Sequence, residues 1–141
     1  MPARRAELAR RALGLVGWLL ALGILGQFLT AGLAVFAGPG WWERHRGFVH
    51  AFEWLSPLAV GLAYLGRAAR GTKAIAWLTV ALLFLQYATA GFRGVAGRAG
   101  LAALHPVGAA LLFWAAVELA RRAAAVPHAT DDSRRLGESK G

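Results

Sequence analysis

Four long apolar stretches alternate with short charged ones along the chain. Three of the stretches contain no Asp, Glu, Lys or Arg, and the other contains only Glu53. The stretches are residues 12–42, 47–66, 74–91 and 99–117. Because about 20 apolar residues cross a bilayer, this pattern predicts four transmembrane helices. We place them at about 12–37, 44–67, 73–93 and 99–122.

The connections between these stretches are short and contain turn residues. Gly38-Pro39-Gly40 lies at the first corner and Gly71-Thr72-Lys73 at the second. Short connections place successive helices antiparallel, which predicts an all-α, integral membrane, up-down-up-down four-helix bundle. The first apolar stretch is longer than the roughly 7–15 residues of a signal-peptide apolar region, so we expect it to remain in the protein.

The basic residues predict the orientation of the bundle. The chain has a net charge of +9, and nine of its 16 Lys and Arg residues lie at three places on one side of the predicted bundle. They are Arg4, Arg5, Arg10 and Arg11, then Arg67, Arg70 and Lys73, then Arg121 and Arg122. The positive-inside rule makes this side cytoplasmic, which places the basic N-terminus 1–11 and the polar tail 123–141 inside. Because the charge has a membrane explanation, we expect no nucleic-acid partner.

The composition indicates the cellular setting. The sequence contains no cysteine, which excludes disulfides, thiolate metal sites and iron–sulfur clusters. It is rich in alanine, arginine and glycine, as is usual for a GC-rich bacterial genome. We therefore expect a multi-pass protein of a bacterial plasma membrane.

An internal repeat divides the chain into two halves. The segment "QFLTAGLAVFAG" at 27–38 resembles "QYATAGFRGVAG" at 86–97, and each ends one predicted helix. The next helix of each half carries a histidine, His50 or His105, 17 residues before an arginine. The halves are therefore two helical hairpins, which we expect to be related by a pseudo-twofold axis along the membrane normal.

His50 and His105 are the leading candidates for a functional site. An ionisable side chain within a membrane-spanning helix is a functional candidate by default. Two imidazoles facing each other across a bundle are the arrangement expected for the axial ligands of one haem iron. A tetrahedral zinc site would need a further ligand, from Glu53 or His45. The neighbours of His45 are typical of the membrane interface, so we expect it to be solvated.

Other polar residues suggest how such a site would be completed. Arginines on the outer side would pair with the two haem propionates or else anchor the helix ends to lipid headgroups. These are Arg44, Arg46, Arg93 and Arg98. Four residues on matching helix faces would line the pocket or join neighbouring helices. These are Gln27, Thr30, Gln86 and Thr89. Glu53 has no counterpart in the second half, which suggests a proton path, a quinone contact, or an ion pair with Arg93 or Arg98.

Several segments together resemble a known arrangement. "HRGFVH", "FLQYATAG" and "LHPVGAALLFWAAVELARR" look like a family of small uncharacterised bacterial four-helix membrane proteins. The bundle as a whole, over about residues 12–122, is similar to one half of haem A synthase, a four-helix unit whose second and fourth helices each direct a histidine at a haem. The resemblance implies haem b between His50 and His105. Haem A synthesis is not implied, because the chain lacks a second four-helix half.

The sequence therefore favours a membrane-bound b-type cytochrome with one haem held by two histidines near the extracytoplasmic face. Besides the lipid bilayer, a quinol or a redox protein is the expected partner, with a homo-oligomer or a larger membrane complex as its assembly. The alternative is a haem-free accessory or scaffold subunit of a larger membrane complex. A small-molecule or proton carrier is the weakest alternative. Whether the chain catalyses a reaction stays open at this point.

Overall fold

The chain folds into α-helices connected by short turns. Our computed structural model describes residues 2–92 and 95–125, apart from the side chains of Pro2 and Ala99. The helices are α1 (Pro2–Phe36), α2 (Trp41–Phe48), α3 (Leu55–Leu65), α4 (Arg70–Gly91), α5 (Ala99–Ala102) and α6 (Leu104–Ala124), with a 3₁₀ turn at Val49–Ala51. Those residues contain no β-strand.

Four helical segments are long and apolar enough to cross a membrane, as predicted. They are Ala3–Phe36, Trp41–Leu65, Arg70–Gly91 and Gly100–Ala124. Many large apolar side chains point away from the bundle, including Trp18, Trp77 and Trp114, each at least half exposed. The length and composition of the helices are those of a multi-pass membrane protein.

The four segments form a ring in which each packs on two neighbours. α1 contacts α3 and α6, and α4 contacts the same two helices from the other side. Near the start of α1, Arg10 donates to the carbonyl of Gly66 just after α3. Gly71 at the start of α4 lies beside the guanidinium of Arg122 near the end of α6. Successive segments are therefore antiparallel, and the bundle runs up-down-up-down.

One helix begins earlier in the chain than we predicted. α1 begins at Pro2 and not near residue 12, because the basic N-terminal segment continues the helix. Glu7 binds Arg10 at 2.8 Å and Arg11 at 2.9 Å, and such pairs three and four residues apart stabilise a helical turn. The predicted tail, 123–141, lies outside the described residues after Ala125.

The second membrane segment is a broken helix. Pro57 has no N–H to donate to the carbonyl of Glu53, and its ring clashes with a helical carbonyl at that position. The chain instead turns between α2 and α3, where the N–H groups of Phe52 and Glu53 both donate to the carbonyl of Val49. This break sets the direction of the side chains at residues 49–54.

The core fills only part of the bundle. One cluster of buried side chains centres on Leu13, Val16 and Leu119, and the next reaches Phe52 and Leu112. We call the region beyond that level the open end. It consists of the last turns of α1 and α4, the whole of α2, and the first turns of α5 and α6. Among its described residues, the buried ones are Ala34, Thr89 and Gly108. The helices therefore pack loosely at the open end and tightly at the opposite end, which contains Leu13, Val16 and Leu119 and which we call the tight end.

Close contact between α1 and α6 fixes the tight end. A Cβ atom added to Gly17 would lie 2.8 Å from the backbone nitrogen of Ala120. We predict that Gly17→Ala lowers the free energy of unfolding by about 1–3 kcal/mol, because backbone atoms cannot move aside. The measurement is thermal unfolding of the detergent-purified protein followed by circular dichroism.

Gly32→Ala is the matched control, since it lies in the same helix and has no neighbouring atom within 4 Å of the added Cβ. We expect it to be neutral or to stabilise by up to about 1 kcal/mol through helix propensity. Equal losses in the two variants would contradict the close α1–α6 contact.

Candidate functional site

His45 is hydrogen-bonded to the last turns of α1. Its Nδ1 atom lies 3.2 Å from the carbonyl oxygen of Gln27 and 3.1 Å from the hydroxyl of Thr30. The Thr30 hydroxyl itself donates to the carbonyl of Gln27 at 3.1 Å. The imidazole is half-buried, so His45 is not the solvated residue that we predicted.

His105 is hydrogen-bonded to the last turns of α4 in a similar way. Its Nδ1 atom lies 3.1 Å from the carbonyl oxygen of Gln86 and 3.1 Å from the hydroxyl of Thr89. The Thr89 hydroxyl lies 2.8 Å from the carbonyl oxygen of Leu85 and 3.1 Å from that of Gln86. Each histidine thus packs against the glutamine and threonine of the repeated segment in its own half.

In the structure, His45 and not His50 makes the contacts that correspond to those of His105. We had aligned the halves by the 17 residues that separate His50 from Arg67 and His105 from Arg122. Spacing from the downstream arginine aligns His50 with His105, whereas the hydrogen bonds align His45 with His105. Spacing from the upstream threonine agrees with the hydrogen bonds, because His45 follows Thr30 by 15 residues and His105 follows Thr89 by 16.

The contacts with the two carbonyls favour one tautomer of each ring. A backbone carbonyl only accepts, so each contact is a hydrogen bond in the tautomer whose Nδ1 carries the proton. In the neutral ring, Nε2 then has the lone pair. Metal-ligating histidines almost always donate their other N–H to a carbonyl or carboxylate, which fixes the ring and makes the ligating nitrogen more basic.

The side chain of Gln86 is inserted against the first turns of α6. In the amide orientation that satisfies both groups, its nitrogen donates to the carbonyl of His105 at 3.0 Å and its oxygen accepts from the N–H of Ala109 at 2.9 Å. Gly108 provides the space, since an added Cβ would lie 2.4 Å from the Gln86 amide. The glutamine therefore positions the backbone of His105 with its side chain and the imidazole with its carbonyl.

The first half is less complete at the equivalent place. The side-chain oxygen of Gln27 is buried and has no hydrogen-bond partner among the described residues. Three residues beyond His45, where the second half has Gly108, stands Phe48, whose ring packs on Gly26. The open end therefore contains a buried acceptor oxygen on Gln27, whereas the corresponding oxygen of Gln86 accepts a hydrogen bond within its own half.

His50 belongs to a different cluster. Its Nδ1 lies 3.1 Å from one carboxylate oxygen of Glu53, and the hydroxyl of Tyr87 on α4 donates to the other oxygen. The His50 side chain is 65% exposed. Glu53 is thus paired with His50 and Tyr87, whereas we had considered Arg93 or Arg98. Tyr87 escaped our prediction, although its alignment with Phe28 signals a polar group in one half only.

The predicted arginines lie near the open end. The guanidinium of Arg44 stacks 4.5 Å from the ring centre of Trp41, and that of Arg98 lies 5.3 Å from the ring centre of Phe92. Arg46 is exposed on α2, and Arg93 lies outside the described residues. The three described arginines flank the segments that carry His45 and His105.

A multi-ligand metal site finds no support in the part of the chain that the structure describes. There, no three side chains of His, Asp or Glu come close enough together to hold a metal ion. The zinc alternative therefore lacks a third ligand there.

Part of the chain matches one known protein family. Residues 27–92 match the model of DUF6220, a family of unknown function. The match begins at Gln27 and runs through His45 to the end of α4. No curated protein and no solved structure matches the chain. This match says nothing about function, so the similarity to haem A synthase stays a prediction.

The contact between Gln86 and Gly108 gives a test of the site. We predict that Gly108→Ala lowers the free energy of unfolding by about 1–3 kcal/mol, because the new methyl group displaces the Gln86 amide from the His105 backbone. Adding Gln86→Ala should remove much of that penalty, since the clashing group is gone. Thermal unfolding of the single and double variants measures both effects.

Gly61→Ala serves as the control, because a Cβ added there has no atom within 4 Å. It should leave stability unchanged or slightly raised. Strictly additive losses in the Gly108 and Gln86 double variant would rule out the insertion of this amide.

Proposed function

We propose that the chain is a small membrane cytochrome that binds one haem b between His45 and His105. The single observation that supports this is the matched pair of hydrogen bonds from Nδ1 to the carbonyls of Gln27 and Gln86. Each bond sets the tautomer in which Nε2 can ligate iron. The ligand set differs from our sequence-based one only in that His45 takes the place of His50.

The position of the two histidines supports a shared ligand. His45 lies in the second membrane segment and His105 in the fourth. This agrees with the layout of the haem-binding half that the sequence resembles. Gly38 and Gly97, at aligned positions of the repeat, both have positive φ angles, 136° and 73°, which favour glycine. We take the two hairpins to be related by a pseudo-twofold axis, across which the histidines face each other.

The open end fits a bulky, mainly apolar group. α2 contains no buried residue, and its main packing partner is α1. The side-chain oxygen of Gln27 is buried there without a described partner. A flat macrocycle between the hairpins would bury the apolar side chains of this end, and burial of apolar surface is the main favourable contribution to such binding.

The charged groups of the open end suit the two carboxylates of haem. Arg44, Arg46 and Arg98 are exposed where propionates would leave the bundle, and guanidinium groups bind carboxylates through charge-assisted bonds. Arg93 would join them from outside the described residues.

A haem ligated by two histidines carries one electron reversibly and leaves no open iron position for oxygen chemistry. The residues of this chain supply the rest. The carbonyls of Gln27 and Gln86 hold the imidazoles in place, and Thr30 and Thr89 limit rotation of the rings. The function is therefore electron transfer between a donor and a membrane partner.

The distribution of charge supports an orientation for this cytochrome. The tight end carries Arg10, Arg67, Arg70 and Arg122, so the positive-inside rule makes it cytoplasmic. The open end then faces outward, both termini face inward, and composition favours a bacterial plasma membrane. The rival function, a haem-free scaffold subunit, would use the same histidine bonds only to lock helices together.

Single substitutions distinguish these functions. We predict that His45→Ala and His105→Ala each abolish the sharp Soret band and the reduced α band of the purified protein, because each removes an axial ligand. His50→Ala should retain both bands, since His50 binds Glu53 and not the haem. The measurement is absorption spectroscopy of oxidised and reduced protein, with haem content determined per chain.

Size-exclusion chromatography serves as the control for folding in all three variants. Loss of the bands in His50→Ala together with their retention in His45→Ala would contradict the ligand assignment. A colourless wild-type protein from haem-replete cells would instead favour the scaffold function.

A further inference from the structure

We propose that His50, Glu53 and Tyr87 bind the head group of a lipid-soluble hydroquinone. This inference rests on the proposed electron-transfer function, for which it names the class of partner. The three side chains are connected by hydrogen bonds at the helix break, where Glu53 accepts from Tyr87 through one oxygen and binds His50 through the other.

The hydrogen bonds of the cluster make it an acceptor site. Because the Glu53 carboxylate accepts, Nδ1 of the neutral His50 ring carries the proton. Nε2 of that ring is then an acceptor, on a side chain that is 65% exposed. The Glu53 carboxylate provides a second acceptor nearby. A ligand that donates through hydroxyl groups fits this arrangement, whereas an anionic lipid headgroup would be repelled by Glu53.

The surroundings of the cluster select a lipid-soluble ligand. It lies within the second and third membrane segments. Trp54, directly after Glu53, is 72% exposed, and Phe84, one helical turn from Tyr87 on α4, is 71% exposed. An imidazole presented to lipid is costly unless a polar group meets it. A hydroxylated ring would supply that group and pack its faces on the neighbouring aromatic side chains.

The site occurs once in the chain, although the chain has two similar halves. The second half has no residue that corresponds to Glu53, and Phe28 stands in the first half where the second has Tyr87. Among residues 2–92 and 95–125, a carboxylate lies between a histidine and a tyrosine only at the broken second segment. The asymmetry indicates a role that the repeat itself does not require.

Binding of tetramethylhydroquinone to the full-length protein in lipid nanodiscs tests this proposal. The measurement is anaerobic equilibrium dialysis with excess reductant, corrected with empty nanodiscs. We expect saturable binding that is about tenfold weaker for the dimethyl ether of the same ring, which cannot donate. His50→Phe and Glu53→Gln should weaken hydroquinone binding by a similar factor.

Tyr87→Phe is the mildest variant and should weaken binding less, because it only loosens Glu53. Tyr64→Phe is its matched control and should bind as the wild type does, since Tyr64 lies at the tight end beside Lys73. Equal binding of hydroquinone and ether, or wild-type binding in the His50 and Glu53 variants, would overturn the site.

The two proposals fail separately in these experiments. A protein with a Soret band but no hydroxyl-dependent binding would overturn the hydroquinone site and leave the haem in place. A colourless protein that binds hydroquinone through His50 would overturn the haem and leave the site.

Discussion

An imidazole inside an apolar bundle must satisfy its ring N–H, and here the carbonyls of Gln27 and Gln86 accept it. Each carbonyl lies near the end of a long helix, one turn before a threonine whose hydroxyl binds the same oxygen. The bond directs each histidine to the helix before it in the chain. This contact holds each imidazole in one orientation, so the repeated segment positions one histidine in each half.

The two ends of the bundle differ in how closely their helices pack. At the tight end, small residues let the helices approach closely, as Gly17 does against Ala120. Such close packing stabilises helix association in lipid, where burial of apolar surface contributes little. The open end lacks this packing, and there we propose that the haem binds. Pro57 separates the ends in the second segment, and the resulting break turns Glu53 away from a regular helical position and towards Tyr87 on α4.

Much of the fold could be predicted from the sequence, because apolar stretches about 20 residues long determine membrane helices directly. The candidate site could be predicted only in part. His105 stands alone in its apolar stretch and is easily recognised. His45 lies among charged and aromatic neighbours, so local composition indicated a solvated residue. Its contacts are with Gln27 and Thr30 on another helix, and spacing from the downstream arginine favoured His50. The alignment of Tyr87 with Phe28 marks a polar group in one half, but its partner Glu53 lies on another helix and does not follow from the segment itself.

The central claim is that iron lies between two equivalent histidines at the open end. Low-temperature electron paramagnetic resonance of the oxidised, purified wild-type protein tests it most directly, since the signal reports the axial ligands of a ferric haem. The account predicts a low-spin signal of two imidazole ligands, at one haem per chain. A high-spin signal, which indicates an open iron position, or the absence of haem from protein made in haem-replete cells would contradict it.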